Sequence, residues 1–159
     1  MVKWFEHLLQ NSKKNSSKNL RDAQLQYLCA MVENTVAKKS NLDLAKAYKG
    51  IAISSGNSFV HETESQVILN GSYNINFTMD LVLKDTGLFD DLARKLNTPL
   101  EISPKVVEIF KDGQKKYGSR AWSSMIVKRM EDANNINFRA SGFPSELTDN
   151  EPEEKGYEI

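Results

Sequence analysis

A chain of 159 residues is long enough for one domain with a real core and hardly for two. Hydrophobic residues at 40% and charged residues at 26% are the proportions of a soluble globular protein. Lys plus Arg and Asp plus Glu number 21 each, so no basic excess points to nucleic acid as the main partner. No apolar run approaches a transmembrane helix, and the first residues, Met1 to His7, lack the apolar core of a signal peptide. Cys29 is the single cysteine and cannot form an internal disulfide, which fits a reducing, cytoplasmic setting. In its apolar run it reads as a small buried hydrophobe rather than a catalytic thiol.

In chain order, Trp4, Phe5, Leu8 and Leu9 recur at helical spacing, which predicts a short amphipathic helix over residues 1–10. Residues 11–19 offer nothing to bury and read as a polar linker, so 1–19 form an N-terminal segment before the domain. From Leu20 to about Lys39 the pattern is helical. Leu25, Leu28, Val32 and Val36 form one stripe, Tyr27, Met31 and Thr35 a second, and both are expected to be buried. Asp43 is placed to cap the next helix, which carries Ala47, Tyr48 and Ile51. Ser54-Ser55-Gly56-Asn57-Ser58 is a tight connection, with Ser58 as N-cap for a weaker helix from Phe59 to Leu69. His61, with no second His, Cys or paired carboxylate at ligand spacing, reads as a surface or capping residue, not a metal ligand.

The central helix is predicted from Asn76 to about Leu96, with Leu81, Leu88, Leu92 and Leu96, joined by Val82 and Phe89, as its buried face. Asp80, Lys84 and Asp85 fall near one stripe of it, and an i,i+4 salt bridge on a solvated face accounts for them. Asn97-Thr98-Pro99 ends the helix. Ser103 as N-cap and Pro104 at the first position start the next, whose apolar face is Val106, Val107, Phe110 and Tyr117, stopped by Gly118. A last helix is predicted from Ala121 to about Ala133. Val67–Leu69 and Ile136–Phe138 are the only possible short strands, so the fold class is all-α, a bundle of roughly five to six helices around a long central one. The helical domain spans 20–140, and 141–159 read as an acidic flexible tail. No Gly-x-Gly-x-x-Gly or Walker loop occurs, and two histidines make metal chemistry improbable.

The order of these features resembles the C-terminal helical domain of the β-hydroxyacid dehydrogenases, the 3-hydroxyisobutyrate and 6-phosphogluconate dehydrogenase-like family. Phe77-Thr-Met-Asp-Leu-Val-Leu-Lys84-Asp85-Thr-Gly-Leu matches the family's Phe-to-Lys-Asp pattern. Ser55-Gly56-Asn57-Ser58, Asn97-Thr98-Pro99-Leu100 and the Trp122-Ser123 region match neighbouring motifs. The resemblance covers about residues 25–135. It implies NAD or NADP as cofactor, completed by a Rossmann domain not in this chain, and a small hydroxy acid as substrate. It implies that Lys84 lies at the cofactor and that Asp85 and Phe77 border the active site. The family's proton-transferring lysine falls around residues 16–18, which makes Lys18 the nearest match, although the asparagines expected after it are absent. The partners implied are a second copy of the chain in a homodimer and a separate Rossmann-domain chain, with no nucleic acid and no membrane. The alternative is a non-catalytic helical dimerisation module derived from the same family.

Overall fold

The longest helix, α1, runs Leu20–Lys39 and ends on two lysines that favour its negative C-terminal end. The computed structural model describes residues 20–148. The N-terminal helix, the linker, Lys18 and residues 149–159 lie outside that range. One side of α1 is buried, with Tyr27, Met31 and Thr35 facing the bundle as expected. The stripe of Leu25, Leu28, Val32 and Val36 is only partly covered: Leu25 and Leu28 are half-buried, while Val32 and Val36 are 58% and 59% exposed. Only one face of α1 meets the rest of the domain, so a helix apolar on two sides keeps one of them outside. Cys29 sits on the outer side and is exposed, which corrects the buried reading. Partial burial, with the charge of Glu33, raises its thiol pKa, the opposite of an activated nucleophile.

Helix α2 (Leu44–Ala52) is capped as its sequence predicts, with Asp43 accepting from the amides of Ala45 at 2.8 Å and Lys46 at 3.0 Å. Ser58 likewise caps α3 (Phe59–Glu62) through the amide of His61. The predicted Phe59–Leu69 helix is broken at Thr63, whose hydroxyl donates back to the Phe59 carbonyl at 2.6 Å; α4 (Glu64–Asn70) then starts afresh. Such back-bonding bends helices. Val67, Ile68 and Leu69 are therefore helical rather than strand, and fully buried. A run buried all round carries no period that separates the two states. His61 is buried, not at the surface: its ring stacks on Tyr48 at 4.7 Å and its Nε2 lies 2.8 Å from the Tyr48 carbonyl.

Helix α5 (Met79–Lys95) starts three residues late, because Asn76 adopts a left-handed φ of 55°. Its buried ridge is Met79, Val82, Thr86 and Ala93. The leucine stripe is not that ridge: Leu88 is 41% and Leu96 65% exposed, while Leu81 and Leu92 are half-buried. Asn97, with φ 51°, turns the chain out of the helix. In α6 (Ser103–Tyr117) the cap position falls to Ile102, and Ser103 spends its buried hydroxyl on Asp90 instead. Pro104 stands in the first turn, where its missing N–H costs nothing. The predicted last helix divides into a 3₁₀ segment, Ser123–Val127, and α7 (Lys128–Asn134). Ala121 lies in a bend and Trp122 stands outside the helix, since Trp122 forms an antiparallel bridge with Thr78.

The core gathers Phe110, Met79, Val82, Ile68, Ile126 and Val127 from four elements. Complete burial of a side chain such as Phe110 contributes about 2–3 kcal/mol. Gly113 lets α6 approach the 3₁₀ segment: a Cβ there would stand 2.5 Å from the Ile126 Cδ1. Beyond α7 the chain doubles back. Ala140 donates to the Leu69 carbonyl at 3.0 Å, and Phe143 packs edge-on against Tyr48 at 5.1 Å. Phe138 is buried without forming a strand. This all-α bundle bears out the expected fold class, with the long α1 beside the central α5.

Candidate functional site

The wall that carries the sequence-predicted site residues is built where α5 begins. Gly118, with φ 102°, turns the chain after α6 so that residues 119–122 run beside the first turn of α5. The amide of Met79 donates to Ala121 at 2.9 Å and that of Asp80 to Ser119 at 3.1 Å; the Ser123 amide donates to the Phe77 carbonyl at 2.8 Å. These bonds consume amides that a helix start leaves unsatisfied. The positive end of α5 is thus closed by protein rather than open to an anion. Phe77 is half-buried and held through its backbone to the 3₁₀ segment.

Two acid–base pairs follow along α5. Asp80 accepts from the Thr78 hydroxyl, from the Leu81 amide at 3.0 Å and from Arg120 Nη1 at 3.1 Å. The Thr78 hydroxyl, with Arg120 adding to it, holds the Asp80 carboxyl below the usual range. One turn on, Lys84 Nζ lies 3.3 Å from Asp85 Oδ1, with the lysine side chain 61% exposed and the aspartate 13%. Lys84 stands about 160° round the helix from both Val82 and Thr86. The ammonium therefore points away from its own domain's core, while the carboxylate beside it is recessed. The structure brings Lys84 and Asp85 together as an ion pair, while Phe77 precedes the helix and packs against the core. Asp80 bonds Arg120 across the wall, so the expected i,i+4 pair with Lys84 is replaced by a long-range one. Arg120 is the polar residue that the sequence reading passed over; its one sequence signal is a cation just after the helix-stopping Gly118.

A shallow cleft of about 290 Å³ lies elsewhere, between Leu25 of α1 and the α5–α6 connection at Pro99, Leu100, Glu101 and Ile102. None of Phe77, Lys84 or Asp85 lines it. Among the described residues no cluster of His, Cys, Asp and Glu could hold a metal ion, and no helix is long and apolar enough to cross a membrane.

The helical fold is that of a single all-α domain, and comparison with known proteins gives its class. The family model described as NAD-binding of NADP-dependent 3-hydroxyisobutyrate dehydrogenase matches residues 26–130. The chain belongs to this β-hydroxyacid dehydrogenase family. The cofactors in that description, NAD and NADP, are those the sequence resemblance implied. The L-threonate dehydrogenase of Haemophilus influenzae is 27% identical over 93 residues, covering 58% of this chain and 31% of that protein. An uncharacterised oxidoreductase of Shewanella frigidimarina is 27% identical over 95 residues, covering 60% and 33%. Among solved structures, 3-hydroxyisobutyrate dehydrogenase from Salmonella typhimurium superposes with a TM-score of 0.62 at 24% identity, over 69% of this chain and 39% of that one. The Mycobacterium tuberculosis 3-hydroxyisobutyrate dehydrogenase with L-serine gives 0.63 at 17% identity, over 70% and 40%. At these identities the structures share the fold. The chain spans about a third of the length of the curated relatives it matches.

Proposed function

We propose that this chain is the substrate- and cofactor-closing helical domain of an NAD(P)-dependent β-hydroxyacid dehydrogenase, its active site completed by a Rossmann domain in another part or chain. The observation that carries the reading is the Lys84–Asp85 pair, an exposed ammonium backed by a recessed carboxylate on the outward side of α5. A salt bridge that served only to stabilise an exposed helix would contribute little, and i,i+1 neighbours do not face each other on a helix. The donor set fits a dinucleotide. Lys84 keeps N–H donors for a ribose or phosphate oxygen while Asp85 orients it, and Phe77 borders the reacting face. The bound dinucleotide supplies or accepts a hydride at its nicotinamide. Lys18 is the residue of this chain closest to the position of the family's proton-transferring lysine. The substrate class that fits is a small hydroxy acid, handled in the cytoplasm.

The test is titration of the protein with NADH and NADPH, alone and with a Rossmann-domain partner, followed by fluorescence and heat. Binding that Lys84→Ala weakens supports the reading. Absence of binding even with the partner, or binding indifferent to Lys84→Ala, overturns it.

A second reading, a non-catalytic homodimerisation module, draws on a different observation. Val32 and Val36 leave the outer stripe of α1 exposed, with Cys29 beside them. A monomer in sedimentation at micromolar concentration would count against that reading.

A further inference from the structure

We propose that Arg120 is a second cationic anchor for the same dinucleotide, binding a phosphate oxygen near the group held by Lys84; this rests on the functional reading above. Three observations carry it. First, Arg120 is placed rigidly. Its neighbours Ser119 and Ala121 accept the Asp80 and Met79 amides, and Trp122 is bridged to Thr78, so its backbone is fastened to the start of α5 on both sides. Second, Arg120 uses Nη1 on Asp80 while its side chain is 76% exposed, which leaves the rest of the guanidinium fork facing outward. Third, both pairs on this wall are layered in the same sense. The carboxylates of Asp80 and Asp85 are 33% and 13% exposed, and the cations of Arg120 and Lys84 are 76% and 61% exposed.

The wall therefore presents positive heads outward over recessed acids, although its formal charge cancels. Asp80 and Lys84 are one helical turn apart, so Arg120, gripping Asp80, reaches the stripe on which Lys84 stands. A dinucleotide carries two linked phosphates, and a planar guanidinium matches phosphate oxygens two at a time, which an ammonium cannot do. Asp80 acts here as a positioning residue: it fixes one edge of the guanidinium and leaves the other for the ligand.

The experiment is an NMR titration of the ¹⁵N-labelled chain with NADPH, and separately with inorganic pyrophosphate, reading backbone amides and the arginine Nε–H signals. The expected result is a shift of the Arg120 Nε–H signal with both probes. Arg120→Ala should weaken both by roughly five- to tenfold, the size of one exposed charge-assisted contact, and Arg120→Lys should recover part of the loss. Arg120→Gln, with the unfolding midpoint checked for each variant, guards against loss of fold. Weakening by Lys84→Ala but not by any Arg120 variant overturns this inference and leaves the proposed function standing. Indifference of both probes to Lys84 and Arg120 alike, or no binding even when the Rossmann-domain partner is added to the titration, overturns both. A shift of Arg120 with a free hydroxy acid but not with pyrophosphate assigns it to a substrate carboxylate and overturns the phosphate assignment.

Discussion

Two glutamates lie in the interior of this bundle and the protein treats them in opposite ways. Glu131 on α7 is 2% exposed and fully supplied with donors: the Tyr73 hydroxyl at 2.6 Å, the Phe138 amide at 2.7 Å and Arg139 Nη1 at 2.9 Å. Arg139 also bonds the Tyr73 hydroxyl at 2.8 Å and lies over its ring. Glu64, in the first turn of α4, has a buried Oε2 with no hydrogen-bond partner among the described residues, and burial pushes its carboxyl up to about 8. The side chain is the same in both places. What differs is whether the chain delivers donors to it. At Glu131 the returning segment after α7 brings an amide and a guanidinium; at Glu64 no donor of the described residues reaches the buried Oε2. A supplied carboxylate becomes a clasp, and an unsupplied one becomes a group that folds best when protonated.

The largest expected effect breaks the clasp. Glu131→Ala leaves the Tyr73 hydroxyl and the Phe138 amide without an acceptor inside the protein. Removing one member of such a network should cost about 3 kcal/mol, moderated because the 38%-exposed Arg139 can turn to water. Urea unfolding at neutral pH measures this, and Glu131→Gln, which keeps an accepting oxygen, should cost less. An equal loss in both variants would mean that the carboxylate charge, rather than the shape of the side chain, holds the segment.

The clasp also marks the limit of what was legible in the sequence. Helices α1, α2 and α6 were legible because periodicity, caps and stop residues agreed: Asp43 and Ser58 cap as predicted, and Gly118 stops α6 as predicted. The fold class followed from them. The site was legible only as the Phe77, Lys84, Asp85 pattern, and the structure adds that Lys84 faces outward beside Asp85. Several misses share one cause. Pairings between distant residues leave no local period, so the Thr78–Trp122 bridge, the Asp80–Arg120 pair and the Glu131 network were invisible. The bridge holds Trp122 out of the helix, which is why the predicted last helix begins late. Tyr73 stands in a left-handed conformation, φ 56°, that an aromatic residue rarely adopts, and only its buried partners explain it. The outer stripes of α1 and α5 were read as core because apolar spacing reports an amphipathic face, not what covers it.

The second prediction sharpens the contrast through pH. Burial raises the Glu64 carboxyl to about 8 in the folded protein from its ordinary value of 4.5 in the unfolded chain. Between those values the folded state holds a proton that the unfolded state has lost. Stability from this group is therefore fully present below about pH 4.5, falls as pH rises and levels off above about pH 8. The slope is about 1 kcal/mol per pH unit for one such group. Glu64→Gln should flatten the decline and raise the unfolding midpoint at pH 9 relative to the parent. Asp80 runs the other way, since its depressed carboxyl contributes stability that is lost as pH falls into the acid range. A parent protein whose stability does not fall between pH 5 and 8 would show that Glu64 finds a partner or water.

The smallest effect tests how closely the clasp is fitted. Gly71 ends α4 with φ 95°, and a Cβ at that position would stand 2.4 Å from Arg139 Nε and 2.9 Å from its Cζ. Gly71→Ala therefore carries two penalties, the left-handed backbone and displacement of the guanidinium from Glu131 and Tyr73. The first costs about 1 kcal/mol by itself. The second is bounded by the flexibility of an arginine side chain, which can shift its head without unfolding the segment. A total of about 1–2 kcal/mol is expected, below the loss in Glu131→Ala. The two changes act on one network, so they should not add: in the double variant the guanidinium has already lost its carboxylate, and Gly71→Ala should cost only its backbone share. Full additivity in urea unfolding would mean that Gly71 and the clasp are independent, and that the close approach of Arg139 contributes nothing to holding the returning chain.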